Sequence, residues 1–389
     1  MAAASLQTAK TGCMMLSGVS SRSKILSKAL ALVLFCTVVI ALILVMASIW
    51  PTGVDYYFIF YPVTKKFLAG ETRLYDVQTL GFYNAPWVLL FFAPLTALSL
   101  RLGQAVFLVG TMGLLLGSAH LVREERAFPP LAVLLALLNL HTFDVLIRVQ
   151  VDGFVPFGVA LGWWAIRRRH PWLLSLAFWL LAIKPINVVV VAAIYLIAIR
   201  HWSRREQIQV FAFPVISLLI SFVVLGADWP LRYLDSYQLD PPDRAYLTLT
   251  LWRIARSVDF PFWPLIVLAA ACVALTLWLA WRVGLHRWTL SIALATNLVF
   301  AQYATGNHYV NLIPAMLFIA TRSRRVAALA YLTTFTPLLR AWFGVRVAPI
   351  DLLYPITLLI ASWYFAVQDG LVTLPRAQRP LDQRFARRA

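Results

Sequence analysis

A chain of 389 residues that is 61% hydrophobic, with a mean hydropathy of +0.78 and only 13% charged residues, holds about half the charge of an ordinary soluble domain. That composition excludes a soluble enzyme and identifies an integral membrane protein. The formal net charge of +18 does not point to nucleic acid, because the basic residues sit in short clusters between apolar runs, where they act as topological charge. Cys13, Cys36 and Cys272 show no CxxC spacing, so neither a zinc site nor a disulfide framework is expected.

Residues 1–27 are basic and rich in Ser and Ala, and the apolar run 28–50 exceeds the ~7–15 residues of a signal-peptide core. We expect a cytoplasmic tail followed by an uncleaved signal anchor. A helix needs about 20 apolar residues to cross a bilayer, fewer where neighbours shelter it. On that measure the later candidates are 86–100, 103–121, 129–146, 152–166, 172–183, 186–199, 208–226, 261–281, 288–304, 309–320, 326–341 and 350–367. Arg167-Arg168-Arg169, Arg200 with Arg204 and Arg205, Arg282 with Arg287, Arg322 with Arg324 and Arg325, and the Arg-rich C-terminus mark the cytoplasmic side. These marks agree with a basic, internal N-terminus only if one early candidate does not cross. The segment 86–100, short and interrupted by Pro94, is the one that dips into or lies along the outer leaflet.

The expected architecture is an all-α polytopic bundle of about 12 transmembrane helices with short interfacial helices on the outer face. One domain, 28–367, carries outer loops at 51–102 and 227–260 and ends in a basic cytoplasmic tail, 368–389. No matching pair of broken helices repeats in the two halves, which weakens a transporter reading without excluding it.

Chemistry gathers on the outer side. Asp55 follows the first span by five residues; it either caps the helix expected at 56–68 or serves as a general base, or as a carboxylate holding a sugar hydroxyl, in a cleft above the membrane. His308, on the tip Gly306-Asn307-His308-Tyr309, is a candidate partner. Lys184 lies in an apolar stretch, where a charge costs ~2.5 kcal/mol or more unless paired or wet; it either snorkels or binds an anionic phosphate. Arg253 and Arg256, three apart on a helix expected at 249–258, suit the same anion or anchor the helix to headgroups. Asp152, near Arg148 at the start of a span, closes a helix end or joins the site. Tyr56 and Tyr83 belong to an aromatic belt that also suits packing against a sugar or prenyl chain. No phosphate-binding loop, dinucleotide fingerprint or metal-ligand spacing is present, so substrates reach the site through the membrane.

Asp55-Tyr56-Tyr57, Leu68-Ala69-Gly70, Leu74-Tyr75-Asp76, Tyr83-x-x-Pro86-Trp87 and Pro94-Leu95, followed by Gln150-Val151-Asp152, the triple Arg, Ala182-Ile183-Lys184-Pro185 and His308-Tyr309-x-x-Leu312-x-Pro314, occur in an order that resembles glycosyltransferase family 87, within the GT-C fold class. The resemblance extends over 28–367. The family's Tyr-x-Pro-Pro stands here as Tyr83-Asn84-Ala85-Pro86, and its Asn-x-Ser as Thr248-Leu249-Thr250. It implies inverting transfer of a sugar, mannose, from a polyprenyl-phosphate donor to a lipid or glycan acceptor at the outer face of a bacterial plasma membrane. Asp55 would be the base, paired with His308. Lys184, Arg253 and Arg256 would face the departing phosphate, and no metal or cofactor is implied. A polyprenyl-lipid or solute transporter with the same outer groups is the competing class.

Overall fold

The computed structural model describes residues 3–75, 81–123, 130–239, 250–343 and 349–372. Among these residues every regular element is helical. The chain opens with α1 (Ala3–Ile49), whose apolar part Leu26–Ile49 is exposed along its length and is long enough to cross a bilayer. A π-helical turn at Tyr56–Phe60 leads into α2 (Tyr61–Leu68). The segment expected to lie along the leaflet is a 3-10 turn Pro86–Val88, α3 (Leu89–Phe92) and a second 3-10 turn Ala93–Ala97. At ~1.5 Å per residue this broken run falls well short of the ~30 Å hydrocarbon core.

Beyond it come α4 (Leu100–Leu121), α5 (Pro130–Leu137), α6 (Leu140–Arg148), α7 (Phe154–Arg167), α8 (Pro171–Leu181), α9 (Val189–Ala198), α10 (Arg204–Gln209), α11 (Ala212–Leu225) and α12 (Trp229–Leu239). The last group is α13 (Leu251–Ser257), α14 (Phe262–Val283), α15 (Arg287–Val299), α16 (Ile313–Arg322), α17 (Arg324–Leu332), α18 (Thr336–Trp342) and α19 (Leu353–Gln368). The basic tail beyond Val372, the cluster at 124–126 and the middle of the 227–260 loop lie outside the described residues.

Most of the expected spans are met by helices of similar extent, half of the twelve being themselves under 18 residues. Among the described residues four helices are long and apolar enough to cross alone, Leu26–Ile49, Leu100–Leu121, Phe262–Val283 and Ile350–Gln368, or five if the pair bent by 91° between α11 and α12 counts as one. Breaks separate the shorter helices. Asn139 ends α5 and caps α6, its Oδ1 accepting from Thr142 N–H at 3.0 Å. Pro185 interrupts the run between α8 and α9. Such breaks survive in an apolar setting only where protein groups take over the freed backbone positions. Asn297 on α15 does so at α9: its Oδ1 accepts from Val190 N–H at 3.0 Å and its Nδ2 donates to Ile186 O at 2.9 Å.

The core lies around α7, α15 and α16. In α15 the whole run from Trp288 to Val299 is buried, as is Ile313–Ala320 in α16, the pattern of helices surrounded by other helices. At the start of α15, Asp369 collects the Trp288 indole N–H at 2.6 Å, Arg287 at 3.2 Å and Arg322 at 3.3 Å, joining the ends of α15, α16 and α19.

The loop after α1 is pinned by α4 and α6. Arg101 donates to Trp50 O at 2.9 Å and the Trp50 indole N–H to Leu146 O at 3.1 Å. Gln104, buried at 2% exposure, accepts from Gly53 N–H at 3.0 Å and donates to Pro51 O at 2.7 Å. One side-chain amide thus completes the backbone hydrogen bonding of the turn that presents Asp55. Gln104→Leu is expected to strand both groups and to cost about 2 kcal/mol, read as a lower thermal midpoint of the purified protein in detergent.

Candidate active site

Four separate breaks in the helical pattern deliver the polar groups. Asp55 lies in the first turn after the pinned loop with helical dihedrals, and its side chain makes no capping hydrogen bond. Helix capping, one of the roles open to it from sequence, is therefore not seen. Its Oδ2 instead accepts from Gln150 Nε2. Gln150 follows α6, which ends at Val149 in the left-handed region (φ +60), an uncommon conformation for a β-branched residue. The Gln150 N–H closes the turn on Val145 O at 3.0 Å. Gly53 allows the approach, since a Cβ there would lie 2.1 Å from Val149 Cγ2.

Asp152, fully buried, sits in the 3-10 turn Val151–Gly153 ahead of α7. Its Oδ2 accepts from Lys184 Nζ at 2.8 Å and from Asn307 Nδ2 at 2.7 Å. Lys184 comes from the α8–α9 break, which Ala85 N–H holds through Ile183 O at 3.4 Å, and it also donates to Gln150 Oε1 at 3.5 Å. His308 arrives on the 3-10 turn Gly306–Leu312, with Nε2 3.2 Å from Lys184 Nζ and 3.6 Å from Asp152 Oδ1. Behind this turn His141 stacks on Tyr354 (5.3 Å) and meets Tyr309 edge-on (5.0 Å).

The electrostatics follow from the packing. Burial raises the Asp55 carboxyl above its ordinary value, against the opposing pull of the Arg148 charge, the Gln150 hydrogen bond and Lys184. Burial works the same way on Asp152, but there the Lys184 charge and the hydrogen bonds from Lys184 and Asn307 more than reverse it, and the carboxyl lies below the usual range. His308 is pushed down to about 3 by burial first and by the Lys184 charge second, so the ring is neutral at pH 7. Its protonated charge therefore contributes nothing to Asp152 at that pH, and Lys184 and Asn307 hold the carboxylate. The Thr305 N–H donates to His308 Nδ1 at 3.0 Å, which places the ring proton on Nε2, on the side of Asp152 Oδ1; the Lys184 ammonium is also a donor, so its 3.2 Å contact with Nε2 is not a hydrogen bond.

Asp55, Asp152, Lys184 and His308, picked from sequence, thus occupy one network. Asp55 and His308 do not bond each other; Gln150 and Lys184 stand between them. Tyr56 is elsewhere, buried among Phe92, Phe107 and Tyr61 with its hydroxyl against Gly103. Tyr83 contributes its carbonyl to the Tyr233 hydroxyl at 3.5 Å. Arg253 and Arg256 ride on α13, which the Trp252 indole fastens to Phe300 O at 2.9 Å, at the end of α15 that leads towards His308. Gln150 and Asn307 went unselected, being neutral amides inside motifs quoted for their charged neighbours. Among the described residues no three His, Cys, Asp or Glu side chains converge as metal ligands would.

The chain is similar to one described family: residues 82–304, more than half of its length, match the model of glycosyltransferase family 87. The matched stretch includes Gln150, Asp152 and Lys184, begins after Asp55 and ends before His308. No curated protein and no solved structure matches the chain.

Asp152→Asn is expected to leave Lys184 without its charge partner and to cost about 3–5 kcal/mol. Because the folded carboxyl lies below its unfolded value, its contribution is complete above about pH 4 and disappears as the pH falls through the folded value. The gap in thermal midpoint between wild type and variant should therefore be constant from pH 5 to 7 and narrow below pH 4.

Proposed function

Because the chain belongs to glycosyltransferase family 87, we propose that it moves a hexose, mannose, from a polyprenyl-phosphate donor to a lipid or glycan acceptor at the outer face of a bacterial plasma membrane. In this reading the shorter helices complete about twelve crossings, sheltered by their neighbours, with both termini in the cytoplasm. Family membership carries membrane glycosyl transfer. The observation that supports the assignment of roles is the joining of a buried carboxylate, Asp55, to a half-buried cation, Lys184, through one amide.

The acceptor hydroxyl attacks the anomeric carbon as the bond from that carbon to the phosphate oxygen breaks. The hydroxyl proton passes to Asp55, and the electron pair of the broken bond leaves on polyprenyl phosphate. Burial makes Asp55 a better base than an ordinary carboxylate, while Arg148 and Gln150 keep it ionised. Attack from the face opposite the departing phosphate inverts the anomeric centre, with an acceptor alcohol where an inverting hydrolase uses water. Lys184 faces the charge that grows on the phosphate, and Arg253 and Arg256 extend the cationic surface towards it. His308, with Nδ1 accepting from Thr305 N–H and its proton on Nε2, has no free nitrogen to take the acceptor proton.

The test is turnover of a polyprenyl-phosphate mannose donor by protein purified in detergent, where no gradient exists to drive transport. Asp55→Asn is expected to lower turnover at least about 100-fold with an unchanged thermal midpoint. Full activity would remove Asp55 from the chemistry, and gradient-dependent movement of lipid without transfer would favour a transporter. Lys184→Ala is expected to raise KM for the donor about tenfold or more while KM for the acceptor changes little; equal changes in both would assign Lys184 to folding.

A further inference from the structure

We propose that Gln150 is a positioning residue that holds the Asp55 carboxylate and ties it to the Lys184–Asp152 pair, so that the proton-accepting and phosphate-facing halves of the site act as one unit. This rests on the reading of Asp55 as the base. Asp55 in its ionised form only accepts hydrogen bonds, and the Lys184 ammonium only donates them. An amide between them satisfies both in one orientation: Nε2 towards Asp55 and Oε1 towards Lys184. The reversed amide would set oxygen against oxygen and N–H against N–H. The two charges therefore choose the orientation of the amide, and the amide fixes the carboxylate.

The backbone supports the same assignment. Gln150 reaches Asp55 because Val149 turns the chain through a left-handed conformation and because Gly53 leaves room for the Val149 side chain. An unfavourable dihedral and a side-chain-free contact both serve to place this one amide. Its partners on the far side are held as firmly: the Thr305 hydroxyl donates to Asn307 Oδ1, which turns Asn307 Nδ2 towards Asp152 Oδ2 at 2.7 Å.

The charged and titratable groups facing Asp55 are Arg148 at the end of α6, Lys184 from the α8–α9 break, Asp152 before α7 and the Tyr303 phenol beyond α15. Arg148 is already engaged with Asp144 at 2.7 Å. Gln150 supplies the hydrogen bond on the Asp55 carboxylate itself, so its loss lets Asp55 hold a proton more firmly.

The experiment is the pH dependence of kcat and kcat/KM for the full chain in detergent with polyprenyl-phosphate mannose as donor. Gln150→Met keeps length and volume without a hydrogen bond. It is expected to move the acidic limb of kcat/KM up by about one pH unit and to regain a rate within about threefold of wild type on the alkaline plateau. Gln150→Glu, which donates to Asp55 only when protonated, is expected to move the limb further. An unmoved limb, or a loss equal at every pH, overturns the proposal. Should Gln150→Met fail to fold, Gln150→Asn carries the same test, because its shorter amide does not span both partners. The two levels separate cleanly: an active Asp55→Asn variant removes the base assignment, whereas an inactive Asp55→Asn beside a wild-type limb in Gln150→Met removes the Gln150 assignment alone.

Discussion

A carboxylate with no exposure to solvent governs this structure. Asp152 is ionised only because Lys184 and Asn307 meet it, and removing a charge from water without such partners costs several kcal/mol. Each partner belongs to a different break in the helical pattern. To bring them together, the chain must stop a helix after Leu181, start a 3-10 turn at Gly306 and begin α7 with a turn instead of a full helix. The fold around the site is the set of helix ends that one buried charge requires.

Helix ends in an apolar interior raise a second demand, for backbone partners. Side-chain amides meet it at the two places that matter for geometry. Gln104 closes the turn before Asp55 and Asn297 closes the start of α9 after Lys184. Each fixes a stretch of backbone next to a polar side chain of the network. The aromatic packing of Tyr56 against Phe92 and Phe107 adds a rigid floor beneath the Asp55 turn.

Much of this was legible in the residues. Asp55 stood out by its distance from an apolar run, Lys184 by its charge in an apolar stretch, and His308 by its place on a Gly-containing tip; all three carry a physical signal that survives without neighbours. Gln150 and Asn307 carry none, because a neutral amide is costly or useful only according to what it faces. The left-handed Val149 was illegible for the opposite reason, since a β-branched residue argues against the conformation it adopts. Hydropathy located most of the helices and separated the runs on either side of Pro185, but it carried 129–146 across the break at Asn139 as though one helix continued. Arg253 and Arg256 were legible in a simpler way: their spacing of three places both on one short helix, and α13 carries them.

The knot at Asp369 bears on how the molecule works as a mechanical object. It clamps one end of α15, α16 and α19, while the stacking of His141, Tyr309 and Tyr354 joins the chain segments at the other end. Two of these helices, α16 and α19, are thus tied to neighbouring segments at both ends, and the contacts that tie them lie on opposite ends of the same pair.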